Sequence, residues 1–409
     1  MRVVQSDHLK DIRSLMGELG VDPYGIGIMA PKALTFSVRI NALSPILANI
    51  LKQEMLSLGG DVALARDVLT GKVPVSDCLL IGSLSQFHRL EEKLKKQPFG
   101  LSDLARGLSQ TLANYQKEHF SVELGPYRLR LGARARIMGI INLTPDSFSG
   151  DGLIKKPSLT RGSKNGPAPA AEAVEAVKRQ VRDGADIIDM GGESSRPGAR
   201  AVTVKEELKR VIPSIRAVAR ACKVPISVDT YKPEVAEQAL DNGAVLVNDI
   251  TGLRNKKMAK IIARKKAGVV IMHMQGTPRT MQKQPRYESL TDDILDFFRG
   301  ALSTAEDAGI SEGKIILDPG IGFGKTLAHN LRILKDLAGF KILGKPLLAG
   351  VSRKSFIGTL LKKDDPRGRA NGTIASALIA RAHGAHILRV HDVRPIKEAM
   401  QIFDAVKTS

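Results

Sequence analysis

The sequence predicts an α/β fold, a (β/α)8 TIM barrel preceded by a small N-terminal α/β domain, with boundaries at 1–130 and 131–409. Three observations carry that expectation. From about residue 136 a short, β-branched apolar run followed by a helix-like stretch recurs eight times. Almost every run ends in glycine or a polar residue, as expected where barrel strands deliver side chains to the active-site face. Eight such units in about 270 residues match the usual size of this fold. A doubly wound open sheet is the architectural alternative.

The runs are Ile137–Asn142, Asp186–Gly191, Pro225–Asp229, Val245–Asp249, Val269–His273, Lys314–Asp318, Leu347–Val351 and His386–His391. They are continuously apolar rather than alternating, which marks parallel strands buried on both faces. The intervening stretches Ala171–Asp183, Val204–Ala221, Lys232–Asn242, Asp292–Ala308 and Gly372–Ala382 read as helices. Between the first run and its helix, Leu153–Ala171 is poor in apolar residues and rich in Pro and Gly, the composition of a mobile loop.

Residues 1–130 do not join this rhythm. They hold a strand-like Leu34–Ile40, a helical Ser44–Leu58, an apolar Asp77–Gly82, amphipathic stretches at Leu84–Lys96 and Leu101–Lys117, and a strand pair near Val122–Leu131 turning at Gly125-Pro126. No phosphate loop, carboxylate cluster or nucleophile motif is found there, so a packing, oligomerisation or regulatory role is expected.

Composition narrows the function. The 409 residues are 43% hydrophobic and 25% charged, close to globular averages. No apolar run approaches the roughly 18 residues of a membrane span, and Met1–Lys10, with Arg2, Asp7 and Lys10, lacks the apolar core of a signal peptide. Only Cys78 and Cys222 occur, in no metal-ligand spacing; a reducing, cytoplasmic location is expected. The net charge of +20 invites a nucleic-acid reading, but residues 1–130 carry only +3 of it and the remainder is dispersed. With no Trp and 4% aromatics there is little to stack bases on. Small anionic substrates account for the charge more simply, with neither nucleic acid nor membrane as partner.

The chemistry lies at the ends of the runs. Asn142 closes the first, where an amide oxygen can ligate a hard cation or meet a phosphate. The second continues into Gly191-Gly192-Glu193-Ser194-Ser195-Arg196-Pro197-Gly198, in which Arg196 offers a planar fork to an anion. The third, fourth and sixth end at Asp229, Asn248 and Asp318. Buried carboxylates and amides are costly unless partnered, and three converging on one face would match the adjacent donors of an amino-pyrimidinone ring. The seventh and eighth end in Ser352-Arg353-Lys354-Ser355 and Arg389-Val390-His391-Asp392, loops that often make the phosphate site of such barrels. Strand alternation places Arg389 and His391 on the same side. Arg389 can brace a diphosphate or stack on a ring, and His391 can donate to a leaving phosphate. His383 and His386, at the helix-to-strand connection of the opposite end, read as structural.

Together these motifs resemble the dihydropteroate synthase family of pterin-binding barrels. Met138–Ser149 looks like its first-loop signature and Gly191–Gly198 its second, while Asp318–Lys325, Ser352–Ser355 and Arg389–Asp392 look like its later ones, in the same order, over about residues 136–405. The resemblance implies condensation of 6-hydroxymethyl-7,8-dihydropterin diphosphate with 4-aminobenzoate to 7,8-dihydropteroate and diphosphate, with magnesium, in a homodimer. It implies that the pterin meets Asp229, Asn248, Asp318, Lys354 and Arg389, and that the diphosphate meets Asn142 through the metal, Ser195, Arg389 and His391. Ser195, Arg196, Pro197, Phe323, Lys354 and Ser355 would border the aminobenzoate, and Asp229, Lys354, Arg389 and His391 would be catalytic. Departures are Ser195 for the usual Thr, Ile321 for a common Phe, the reordered Ser149-Gly150-Asp151-Gly152 and a lengthened first loop. A pterin-dependent methyltransferase on the same barrel is the enzyme rival, though it has no diphosphate for the seventh and eighth loops to hold. A noncatalytic pterin-binding protein is the rival of another class.

Overall fold

The computed structural model describes residues 1–4, 6, 8–144, 169–194 and 201–408. The segment from Leu153 and the residues Ser195, Arg196 and Pro197 singled out above lie outside the described residues, apart from 169–171. The chain forms two compact units, Met1–Gln116 and Lys117–Ser409.

In the first unit α1 (Leu9–Glu18) and α2 (Pro23–Ala33) precede β1 (Thr35–Leu43), α3 (Pro45–Ser57), β2 (Asp61–Leu64), β3 (Ser76–Ser83), α4 (Leu84–Leu94) and α5 (Leu101–Gln116). The strands form an antiparallel sheet in the order β1-β3-β2. Local chemistry starts the helices. Ser44 caps α3 ahead of Pro45, whose missing N–H costs nothing at the first helical turn, and Ser83 forms a reciprocal capping box with Gln86 on α4. The amphipathic faces of α3, α4 and α5 bury Leu51, Met55, Phe87, Leu90, Leu94 and Leu101 against Leu80 of β3.

The second unit opens with a hairpin, β4 (Phe120–Leu124) and β5 (Tyr127–Leu131). The eight barrel strands follow: β6 (Arg136–Asn142), β7 (Ile187–Gly191), β8 (Ile226–Asp229), β9 (Leu246–Asp249), β10 (Gly268–Met272), β11 (Ile315–Asp318), β12 (Leu348–Ala349) and β13 (Ile387–Val390). All pair in parallel in the order β11-β10-β9-β8-β7-β6-β13-β12, and a Leu317–Leu347 bridge joins the two ends. That closure excludes the open doubly wound sheet. The surrounding helices are α6 (Pro169–Arg182), α7 (Val204–Ala221), α8 (Pro233–Asp241), α9 (Lys256–Arg264), α10 (Leu290–Asp307), α11 (Leu327–Lys335), α12 (Ser355–Leu361), α13 (Ala370–Ala382) and α14 (Val393–Thr408). Strand residues that face outward, such as Ile188, Val228, Val247 and Ile271, pack under the helices in one large core.

Inward-facing residues alternate with these. Met138, Ile187, Leu246, Val270, Ile316, Leu348 and Ile387 form the lower interior layer, and Val122, Leu124, Leu129 and Leu131 of the hairpin pack directly onto it. A Cβ on Gly268 would come within 2.4 Å of Leu124, so the hairpin approaches as far as the absence of a side chain allows. The structure therefore corrects the expected boundary at 130/131. The chain divides at 116/117, because the hairpin's apolar face belongs to the barrel interior.

Candidate active site

Each barrel strand lifts its last inward residue to the mouth. Gly191, Asp229 and Asn248 lie side by side in the register of β7, β8 and β9, and Met272 lies beside Asp318 across β10 and β11. The parallel register thus brings together the polar residues on which the sequence reading rests.

At the centre is Arg389 on β13. Its Nε donates to Asp189 Oδ2 and its Nη2 to Asp229 Oδ2, each at 2.6 Å. Asn248 Nδ2 donates to the same Asp189 oxygen at 3.0 Å. The guanidinium carries one charge against two buried carboxylates, a paired arrangement that answers the cost of burying it. Burial pushes the Asp229 carboxyl up to about 7, although Arg389 draws it down. Asp318 is raised by burial too, while its Oδ1 accepts the Gly320 N–H at 2.7 Å. Oδ1 of Asp189, Oδ1 of Asn248 and Oγ of Ser227 are buried with no hydrogen-bond partner among the described residues. Buried polar atoms are costly unless partnered, and these three lie on the neighbouring strands β7, β8 and β9.

Asp189 escaped the sequence reading. Its signal was a lone carboxylate inside the apolar run Ile187-Ile188-Asp189-Met190, in a strand buried on both faces where nothing on the strand itself neutralises it.

The other named residues ring this floor. Lys354 Nζ stands 4.0 Å from the centroid of the Phe323 ring, and Phe323 packs with Ile250, Met272, Met274 and Met281. Ser355, exposed, begins α12. Ser352 Oγ accepts the His391 backbone N–H at 3.2 Å and sits 3.0 Å from its Nδ1, which fixes the imidazole. Arg353, at φ +58°, is held by Asp392 through two bonds of 3.1 and 2.9 Å, so its charge is matched across the seventh and eighth loops. His383 and His386 behave as structural residues: His383 Nδ1 lies 2.8 Å from the Leu334 carbonyl, and His386 Nδ1 accepts the Leu347 N–H at 3.1 Å. Ile321 is buried in the outer core, which accommodates its departure from an aromatic.

Asn142 ends β6, half-buried, with no side-chain hydrogen bond among the described residues. No group of three or more His, Cys, Asp or Glu placed to hold a metal occurs among the described residues. A single amide oxygen does suit magnesium, which commonly takes one or two protein oxygens beside substrate phosphates and waters.

A closed barrel whose mouth is floored by buried carboxylates, an amide and one guanidinium is a site for a small, donor-rich heterocycle, and the chain belongs to the pterin-binding enzyme family, whose profile matches residues 138–391. Within that family it groups with the dihydropteroate synthases. It is 45% identical to the dihydropteroate synthase of Escherichia coli K12 over 269 residues, 66% of this chain and 90% of that protein. A probable bifunctional folylpolyglutamate synthase/dihydropteroate synthase of Halobacterium salinarum is 36% identical over 402 residues, 98% of this chain and 46% of the longer protein. The dihydropteroate synthase of Xanthomonas albilineans solved with 4-aminobenzoic acid superposes with a TM-score of 0.63 at 38% identity, covering 71% of this chain and 99% of that one. Among the described residues no helix is long and apolar enough to cross a membrane.

Proposed function

We propose that the protein is a dihydropteroate synthase, a transferase of folate biosynthesis that joins 6-hydroxymethyl-7,8-dihydropterin diphosphate to 4-aminobenzoate. The observation that carries the reading is the polar floor in which Arg389 bonds Asp189 and Asp229 beside Asn248, with Asp318 on the same mouth. The amino and ring N–H groups of a pterin are donors that such carboxylate and amide oxygens accept. Lys354 borders the ring from the seventh loop, and Arg389 faces it from the eighth.

In the reaction the methylene carbon–oxygen bond breaks and diphosphate leaves with the bonding electrons. Asp229 stabilises the cationic pterin methylene in a site of low dielectric, where a fixed carboxylate is worth far more than in water. The aminobenzoate nitrogen then donates its lone pair to form the C–N bond and loses a proton to solvent. His391, oriented by Ser352, donates to the departing diphosphate, and Arg389 balances its charge. Asn142 would hold magnesium together with the diphosphate, and the metal's chemistry there is neutralisation of the leaving group. Ser195, Arg196, Pro197, Phe323, Lys354 and Ser355 border the aminobenzoate. We further place the enzyme in the cytoplasm as a homodimer, readings that rest on cysteine usage and family resemblance.

The test is mass detection of dihydropteroate together with diphosphate release from purified protein given both substrates and magnesium. Product that requires all three supports the reading. Folded protein that binds the pterin yet forms no product overturns it in favour of a noncatalytic pterin protein.

A further inference from the structure

Lys325 closes the Asp318–Lys325 motif, yet the reaction just described gives it no task. It is 3% exposed, and its direct hydrogen bonds among the described residues go to no carboxylate. Its Nζ instead donates to the Phe323 carbonyl at 2.9 Å and the His273 carbonyl at 3.4 Å, and lies 3.0 Å from His273 Nδ1. Those three acceptors satisfy the three hydrogens of an ammonium. Burial draws the Lys325 amine down to about 7 against the opposing pull of the Asp318 carboxylate, and an apolar side chain would fill the space more cheaply, so what the lysine holds together is the informative part.

It joins two segments. One is the tip of β10 from His273 onward, and the other is the loop after β11. The loop is pressed onto that tip throughout. Gly320, at φ +68°, would place a Cβ 2.0 Å from the His273 carbonyl oxygen, so both its backbone angle and its closeness require glycine. Tyr287 Oη donates to the Gly324 carbonyl at 2.8 Å, and Gln282 Nε2 to the Gly322 carbonyl at 3.0 Å. Asn330 Oδ1 accepts the Gly322 N–H at 2.7 Å from the other side. Among these ties only Lys325 grips the carbonyl of Phe323, the residue whose ring lies beneath the Lys354 ammonium.

We propose that Lys325 is a positioning residue: by linking His273 to the Phe323 backbone it fixes the Phe323 ring and the Lys354 ammonium above it, and so sets affinity for the aminobenzoate. The role rests on the synthase reading. Asp229 and Asn248 stand on other strands, whereas Lys354 and Asp318 border both this loop and the pterin, so aminobenzoate binding falls most and pterin binding less.

The experiment compares full-length wild type with Lys325→Met and His273→Phe in steady-state kinetics for each substrate, and in hydrogen exchange of residues 320–325. Losing a hydrogen bond from a charged donor predicts a rise of about tenfold in KM for 4-aminobenzoate in Lys325→Met. KM for the pterin diphosphate rises less than that for 4-aminobenzoate, and exchange at 320–325 quickens about tenfold on the same scale while the barrel strands are unchanged. The Lys325→Met/His273→Phe double variant is no worse than Lys325→Met alone, because both cut one link. An unchanged KM for aminobenzoate, equal rises in both KM values, or unchanged exchange overturns the proposal. If Lys325→Met does not fold, His273→Phe decides on the same readouts. If wild type makes no dihydropteroate, the synthase reading fails and with it the affinity claim, while the exchange arm separately decides whether the link exists.

Discussion

Replacing Asp229 with Asn removes one of the two carboxylates that share Arg389 while keeping the side chain's shape. Two effects oppose each other. A full carboxylate about 5 Å from a developing cation, at an effective dielectric of about 20, contributes about 3 kcal/mol. At about 1.4 kcal/mol per decade that is about a hundredfold in rate. The benefit exists only for the ionised form, and burial has moved this carboxyl up to about 7. At pH 8 the carboxylate dominates and nearly the full loss is expected, whereas at pH 6 only about one molecule in ten carries the charge and the difference narrows to about tenfold. The assay is single-turnover formation of dihydropteroate with pterin diphosphate saturating, from pH 6 to 8.5. Wild-type rate climbs through about 7, and Asp229→Asn is lower and flat. A loss below about fivefold at pH 8, or the same ratio at pH 6 and pH 8, would refute the electrostatic role assigned to Asp229.

Asp189→Leu deprives both Arg389 and Asn248 of an acceptor, and urea unfolding should show a loss of about 3–5 kcal/mol, the cost of breaking a buried ion pair on one side. His386 is held neutral, down to about 3, chiefly by burial, with Arg381 and Lys341 acting in the same direction. The folded chain therefore binds fewer protons than the unfolded one between pH 6.5 and 3, so this residue's effect is absent above that window and destabilises progressively as pH falls through it. The slope approaches about 1.4 kcal/mol per pH unit in urea midpoints, and His386→Gln should flatten it. Leu124→Ala leaves a hole in the hairpin face that covers the lower barrel and should cost about 2–5 kcal/mol in the same measurement, with kcat/KM of the folded protein unchanged.

Much of the barrel was readable because a parallel strand buried on both faces cannot hide among polar residues. The run Pro225–Asp229 becomes β8 within a residue, and the polar tips Asp229, Asn248 and Asp318 are where strand endings put them. What escaped depended on neighbours distant in sequence. Asp189 acquires its meaning from Arg389, two hundred residues away, which the rolled sheet brings within 2.6 Å. The hairpin's alternation, Val122 and Leu124 against Leu129 and Leu131, declares one apolar face without saying which core it covers. In the first unit α2 contains Gly25, Gly27 and Pro31, poor helix formers, and the sequence reading assigns it no element. Asp22 starts it nonetheless, its side chain accepting the N–H groups of Tyr24 and Gly25 ahead of Pro23. Helix α9 was obscured by its own charges: Lys256, Lys257, Lys260 and Arg264 draw attention outward, while Met258, Ala259, Ile261 and Ile262 are buried.

The hairpin under the barrel also bears on traffic. Side chains fill the lower interior of the barrel down to the hairpin, so the site of the proposed reaction is reached over the β-strand tips, and pterin diphosphate and dihydropteroate meet the same floor. Dihydropteroate left on the floor of Asp229, Asn248 and Asp318 would occupy the place the next pterin needs and so compete with that substrate.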